Sequence, residues 1–408
     1  MRILLATYWL IPHVGGVWKY MLQIQQRLEA MGHQVDLMGN SPDYSKFHII
    51  NRGQELSKTA LRPFLTAKLS AAQAPRMHQD PFIHFYEEDR YFMELSAAYF
   101  GLGQYDVIHT QDIFAARALH RVKPPHVPLV AQVHGSVSLE LHNHFRLNPH
   151  LGVQEHSPGW KYFDSIEYYG ATSGQLTITS TQWQKNELVH DFGVPEQRIE
   201  VFQYGLDTGP FWQSAQNGTD IQKPPGKKVI IVPARLAFVK GIDVLISALG
   251  MLKHMRDDWV CWIVGEGEKR EELMKQTAGL SLQDKVVFMG ERRDIPALLL
   301  QSDIFVHSCI QDNQPFSVME AQIAGLASCV SSAGGLPEMV EHGVTGLVSP
   351  VRDPFTLADH LNVLLGNDEF RRMLGQNAAR FAQEHWSMDL MIARLLNAYG
   401  RAAASIGR

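Results

Sequence analysis

From Ser308 to Ala321 the chain reads Ser-Cys-Ile-Gln-Asp-Asn-Gln-Pro-Phe-Ser-Val-Met-Glu-Ala, the stretch richest in usable chemistry. It follows an apolar run at Ile304–His307 and leads into a helix expected from Val318. Asp312 and Glu320 are separated by seven residues, so one carboxylate sits in the loop and the other inside the helix. Pro315 stiffens the turn and leaves the backbone amides of Phe316, Ser317 and Val318 at the helix N-terminus. Free amides and the helix dipole together attract an anion. A carboxylate on each side can take hydroxyl groups. A phosphate flanked by polyols on both sides describes a nucleotide sugar.

A second group is Arg235-x4-Lys240-Gly241, just after the apolar run Val229–Val232. A planar guanidinium and a compact ammonium at a strand–helix junction suit a pyrophosphate leaving group. A third is Pro12-His13-Val14-Gly15-Gly16, where two glycines ahead of a helix let a ligand approach the backbone. His134 follows the run Leu129–Val133, at the carboxyl end of a parallel strand, where ligands bind in such sheets. Neither Gly15-Gly16 nor Gly265-Glu266-Gly267 completes GxGxxG, since Arg270 stands where the third glycine of the latter would be. A dehydrogenase reading is correspondingly poor. His142, His144, His150 and His156 lie in a polar stretch and read as part of an acceptor-side loop rather than a metal site.

The elements that must position these residues alternate strand and helix twice. Short Ile/Leu/Val-rich runs at Arg2–Ala6, Gln34–Met38, Asp106–His109, Leu129–Val133, Leu176–Thr179 and Ile199–Phe202 suit buried parallel strands. A second set falls at Val229–Val232, Cys261–Val264, Val286–Met289, Ile304–His307, Leu326–Ser331 and Gly346–Val348. Two such sets predict an α/β protein of two Rossmann-like, doubly wound domains. The Gly- and Pro-rich stretch Tyr204–Pro225 places the boundary, giving domains at 1–205 and 206–385. The last helix, in 386–408, is expected to cross back onto the first domain. The segment Pro42–Gly103 reads as a long functional loop or lid with weak helical pieces.

Composition narrows the class. The chain has 408 residues, 45% hydrophobic and 19% charged, with a net charge of -5, so neither disorder nor a nucleic-acid partner is indicated. Cys261, Cys309 and Cys329 lie in apolar runs without CxxC spacing, which argues for buried thiols in a reducing cytosol. The N-terminal run Ile3–Ile11 lacks a small-residue cleavage site and ends in Pro12-His13, so it reads as a first strand rather than a signal peptide. A cytoplasmic protein is expected, with peripheral contact to a membrane left open. Asp-x-Asp does not occur in the chain.

The segment Asp312–Glu320 resembles the E-x7-E element of retaining GT-B glycosyltransferases of family 4, the glycogen-synthase-like and mannosyltransferase-like group. The continuation Glu320-Ala321-x-x-Ala324-Gly325, Gly334-Gly335-x-x-Glu338 and Gly343-x-x-Gly346 is similar in order and spacing. One departure is that the first acid is Asp312, one methylene shorter than Glu. The resemblance implies two Rossmann-like domains facing a cleft that holds the active site. It implies Glu320 on ribose hydroxyls, Arg235 and Lys240 on the diphosphate, and Asp312 with the Phe316–Val318 amides on the donor sugar. It sets Gly15 and Gly16 near the donor phosphate, His134 by the donor sugar, and Gly265, Gly290 and Arg292 along the base. The implied reaction moves a sugar from a nucleoside-diphosphate donor, UDP before GDP, to a carbohydrate, glycolipid or small-molecule acceptor. It needs no cofactor and no metal. A sugar-nucleotide 2-epimerase of the same fold and a non-catalytic nucleotide-sugar-binding module are the alternatives.

Overall fold

Aliphatic runs too short for helices become strands covered on both faces. The computed structural model describes residues 1–13 and 15–406; Val14, in the first glycine loop, and the last two residues of the crossover segment lie outside it. The chain divides into two units: Met1–Phe202 with the segment from Asp389 onward, and Gln203–Met388.

The first unit is built on β1 (Arg2–Leu10), β2 (Gln34–Asn40), β3 (Lys46–Ile49), β4 (Gln54–Ser57), β5 (Val107–Thr110), β6 (Leu129–Val133), β7 (Leu176–Thr179) and β8 (Ile199–Val201). They form one sheet in the order β4-β3-β2-β1-β5-β6-β7-β8. All neighbours are parallel except β2–β3 and β3–β4. Ile3, Leu4, Leu5 and Ala6 of β1 are 0% exposed, as a central strand requires. Its helices are α1 (Gly16–Ala30), α2 (Lys58–Lys68), α3 (Pro81–Phe100), α4 (Ile113–Val122), α5 (Val137–Leu147), α6 (Pro158–Ala171) and α7 (Gln182–His190).

Two segments differ from their sequence reading. Pro42–Gly103 is no open loop: β3 and β4 extend the sheet as an antiparallel hairpin, and α3 runs for 20 residues. Asp80 caps α3 by accepting from the Phe82 and Ile83 amides at 2.8 and 3.3 Å, with Pro81 in the first turn. The sequence shows only its later part, Glu87–Phe100, as a weak helical piece, because the helix buries Asp89, Arg90 and Glu94. Those charges are spent on ion pairs, Lys58–Asp89 and Arg90 with both Glu87 and Glu94. The His-rich stretch is likewise mostly helical, and His142 stacks on Trp160 at 3.6 Å.

The second unit is a six-stranded parallel sheet. Its strands are β9 (Lys228–Pro233), β10 (Trp259–Val264), β11 (Val286–Phe288), β12 (Ile304–His307), β13 (Ala327–Ser331) and β14 (Gly346–Ser349), in the order β11-β10-β9-β12-β13-β14. Its helices are α8 (Thr208–Gln216), α9 (Ile242–Leu252), α10 (Arg270–Gly279), α11 (Ile295–Leu300), α12 (Phe316–Ile323), α13 (Leu336–Met339), α14 (Pro354–Gly366) and α15 (Asp368–His385). Cys261 and Cys329 belong to its apolar core, and Cys309 is buried beside it. A final helix, α16 (Met388–Ala404), joins the first unit from Asp389. There the Tyr399 hydroxyl and His109 Nδ1 share a hydrogen bond at 2.8 Å, and Arg401 pairs with Glu200. Among the described residues, no helix is long and apolar enough to cross a membrane.

Candidate functional site

In the second sheet the strand order reverses between β9 and β12, so their carboxyl ends bound the crevice where open α/β sheets take ligands. The loop after β9 carries Arg235 and Lys240; the loop after β12 carries Asp312. Backbone contacts zip the two loops together. Ile310 N–H donates to Val239 C=O at 2.7 Å, and Ser308 Oγ donates to Gly241 C=O at 2.8 Å. Gly241 has φ +59 and no room for a side chain: a Cβ there would lie 2.1 Å from Ser308 O. On the other side of the Asp312 loop, Gly334 has φ +55, and its Cβ would lie 1.8 Å from Asp312 O.

This packing brings Lys240 Nζ to 2.5 Å from Asp312 Oδ2. The same oxygen accepts from His307 Nε2 at 2.9 Å, while Oδ1 accepts from the Asn313 amide at 3.0 Å. Burial alone would raise the Asp312 carboxyl, but the Lys240 ammonium and the His307 hydrogen bond outweigh it and hold the group well below the usual carboxylate range. Burial lowers His307, against the pull of Asp312, so the imidazole is neutral and its Nε2 carries the donated proton. Burial pushes the Cys309 thiol up. His307, Cys309 and Asp312 place potential metal-ligand atoms within 4.8 Å of one another. As a donor set they offer a neutral imidazole, a protonated thiol and a carboxylate already neutralised by an ammonium, which suits a resident cation poorly.

Helix α12 opens at Phe316, two residues before its expected start. Val318 N–H therefore bonds back to Pro315 C=O at 3.2 Å and drops out of the amides expected to face an anion. Phe316 and Ser317 stay in the first turn. Glu320 stands farther along α12, half-buried. The helix is fixed from behind by Gln322, fully buried, whose Oε1 accepts from Trp386 Nε1 at 2.7 Å and whose Nε2 donates to Met339 C=O at 2.7 Å. Gln314, also buried, accepts from Tyr204 N–H at 2.8 Å, and the Tyr204 ring stacks on Phe316 at 5.5 Å.

The remaining residues singled out from sequence have mixed placements. Arg235 is exposed and makes no ion pair among the described residues. Arg292 does not extend freely toward a base: its guanidinium is taken up by Asp294 and Asp220. Gly265 and Gly290 knit the loops after β10 and β11 through a 2.8 Å hydrogen bond from Gly265 N–H to Gly290 C=O. A Cβ on Gly265 would meet Ala234 O at 2.1 Å, so this glycine is required by packing against the loop after β9.

In the first unit, Gly15 and Gly16 lead into α1 after β1 and are exposed. A Cβ on Gly15 would strike the His13 ring at 2.6 Å. His134, after β6, bonds through Nε2 to Gln111 Oε1 at 3.0 Å and packs edge-on against Tyr20 at 4.9 Å. Burial brings its pKa down to about 3, so it is a neutral donor at any working pH. Sequence reading did not single out His307, Gln314 or Gln322. His307 ends an apolar strand and reads as core; the two glutamines lie inside the recognised motif, yet only the fold reveals their partners.

Two family models match the chain: Glycosyltransferase Family 4 over residues 14–209 and Glycosyl transferases group 1 over residues 215–381. An uncharacterized glycosyltransferase of Methanocaldococcus jannaschii is 26% identical over 426 residues, spanning 100% of both chains. A GDP-mannose-dependent alpha-(1-6)-phosphatidylinositol monomannoside mannosyltransferase of Mycobacterium tuberculosis is 25% identical over 59% of this chain and 66% of its own. The crystal structure of Anabaena HepE in complex with UDP superposes with a TM-score of 0.67 at 18% identity, covering 98% of this chain and 100% of that one.

Proposed function

The chain belongs to the family 4 glycosyltransferases and has the GT-B fold, and from that premise we propose a retaining, metal-independent transfer of a sugar from a nucleoside-diphosphate donor to a hydroxyl acceptor. UDP-sugar is the first candidate donor, supported by the UDP complex of the similar Anabaena structure. GDP-sugar is the second, supported by the GDP-mannose dependence named for the mycobacterial relative. Bacterial surface polysaccharide, glycolipid and small-molecule acceptors all fit the chemistry.

One observation carries the proposal: a lysine ammonium is held by a half-buried carboxylate at the strand-order reversal of the second sheet, beside the first turn of α12. In the proposed reaction Glu320 holds ribose hydroxyls, and Arg235 and Lys240 meet the diphosphate. The Phe316 and Ser317 amides add positive potential, an oxyanion-hole effect. On the first unit, Gly15, Gly16 and His134 serve the acceptor side. The bond from the anomeric carbon to the diphosphate oxygen breaks through an oxocarbenium-like state. The acceptor oxygen then bonds to that carbon on the same face, and its proton passes to the departing phosphate oxygen. Two lysine and arginine charges supply the neutralisation that a divalent ion would otherwise give.

Thermal-shift titration with UDP, GDP and their sugars tests the donor class, because a ligand of the folded state alone raises the midpoint by mass action. Lys240→Met tests the leaving-group role. Turnover is expected to fall by about 10²- to 10³-fold, the scale of losing one preorganised charge partner. Near-parental turnover would remove that role.

A further inference from the structure

Asp312 stands where the family resemblance implies a sugar-binding acid, yet its surroundings give it another task. Both of its oxygens are engaged within the protein, Oδ2 by His307 and Lys240 and Oδ1 by the Asn313 amide. Two of these donors, the imidazole and the ammonium, converge on one oxygen. A side chain one methylene shorter than Glu draws the carboxylate back toward β12, and the imidazole at the end of that strand meets it. His307 is 3% exposed. Its strand is hydrogen-bonded on both sides, by β9 and β13, with His307 in register with Val330. The imidazole is thus mounted on one of the most rigid elements of the unit, whereas Lys240 sits on a loop at the end of a long flexible stem.

We propose that His307 is a positioning residue for the transfer: its Nε2–H fixes the Asp312 carboxylate, and that carboxylate holds the Lys240 ammonium where a departing diphosphate would meet it. The imidazole does this without adding charge. A cation at this point would weaken the hold of Asp312 on Lys240, while a neutral donor steers the carboxylate and leaves the pair intact. The order of action is strand to imidazole, imidazole to carboxylate, carboxylate to ammonium, with only the last group meeting the donor. The proposal rests on the reading of Lys240 as the diphosphate partner.

A double-mutant cycle tests it. His307→Phe keeps a planar ring and removes the donor; His307→Gln restores an N–H that can reach Asp312. Each is made in the parent and in Lys240→Met, and each is assayed for donor turnover with UDP-sugar and GDP-sugar and for calorimetric binding of UDP and GDP. In the parent, His307→Phe is expected to lower kcat by about 10- to 100-fold, the scale of a small misplacement of a reacting group. His307→Gln is expected to recover most of the loss. In Lys240→Met, His307→Phe is expected to cost nothing further. The proposal is overturned if His307→Phe turns over at the parental rate. It is also overturned if Gln fails to rescue, or if the fold-loss is equal in both backgrounds. Near-parental turnover of Lys240→Met by itself would instead strike the leaving-group reading, so the two failures are distinguishable.

Discussion

Asp312 in the second unit, half-buried, and Glu167 in the first, wholly buried, are both carboxylic acids withdrawn from water, and they end in opposite charge states. Asp312 meets an ammonium, an imidazole N–H and a backbone N–H, and it stays ionised far below its ordinary range. Glu167 is 0% exposed and, among the described residues, receives one hydrogen bond, from Ser138 N–H to Oε2 at 3.0 Å, while Oε1 has no partner. Burial pushes its pKa up to about 8, and Glu187, Glu140 and Asp164 add to the rise while the Ser138 amide opposes it. Asp112 is a useful third case. It accepts from Thr7 Oγ1 and from the Tyr8 and Ala115 amides at 2.7 to 2.8 Å, yet burial still leaves its carboxyl raised. Three neutral donors do not overcome desolvation there, whereas an ammonium together with an imidazole N–H does at Asp312. At Asp312 the charge state is therefore decided by the Lys240 ammonium and the imidazole N–H acting together against burial.

The largest test of that contrast strikes the loop that holds Asp312. Gly334→Ala forces a Cβ against Asp312 O, 1.8 Å away, at a φ of +55 that side chains rarely adopt. The clash is with backbone and cannot be relieved by a rotamer, so a loss of about 3 kcal/mol or more is expected in urea unfolding. A loss below about 1 kcal/mol would mean the Asp312 loop is free to shift. Next in size is Lys240→Met, which leaves Asp312 in the position of Glu167, buried without a cation. Removing one partner of a buried pair costs about 3–5 kcal/mol. The Lys240 and Asp312 side chains keep 22% and 17% of their surface exposed, so screening brings the expectation to about 2–3 kcal/mol at neutral pH. Adding Asp312→Asn is expected to return most of it. If the double variant is as unstable as the single one, the loss came from packing and the charge argument fails.

How much of this was readable in the chain follows the same line. Strands buried along their whole length and anchored by aliphatic residues, such as Leu129–Val133, Leu176–Thr179 and Ile304–His307, fall where the sequence puts them. The pairing of the loops after β9 and β12 follows from parallel topology. Helix α3 is legible only in part, over Glu87–Phe100, because its buried face carries Asp89, Arg90 and Glu94, and no periodicity rule sees an ion pair before it forms. The site was partly legible for the same reason. Spacing locates Lys240 and Asp312 at strand ends, but that they touch, and that His307 completes the contact, depends on the glycines at 241 and 334 letting three loops close to within a hydrogen bond. Arg292 and Val318 show the converse. The Arg292 guanidinium suits the edge of a base and the Val318 backbone amide an anion, yet Asp220, Asp294 and the Pro315 carbonyl reach them first.

Glu167→Gln has no expected effect near pH 4.5 and one that grows only as pH rises, which makes it the most specific test. A buried acid whose folded pKa is raised from about 4.5 to about 8 stabilises the fold fully below pH 4.5 and loses that contribution as pH climbs toward 8, levelling off above it. Over that window the unfolded chain has released its proton while the folded one retains it, so stability falls with a slope of about 1.4 kcal/mol per pH unit for one carboxyl. Gln keeps the shape of the protonated acid and an oxygen for Ser138 N–H, and it has no proton to lose. Glu187, also raised to about 8 by burial and Asp191, continues to titrate in the variant. The unfolding free energy of Glu167→Gln is therefore expected to match the parent near pH 4.5 and to exceed it progressively from pH 5 to 8, with the remaining slope belonging to Glu187 and the other shifted groups. Parallel curves across that range would place the Glu167 proton elsewhere and would reduce the contrast with Asp312 to one of hydrogen-bond count.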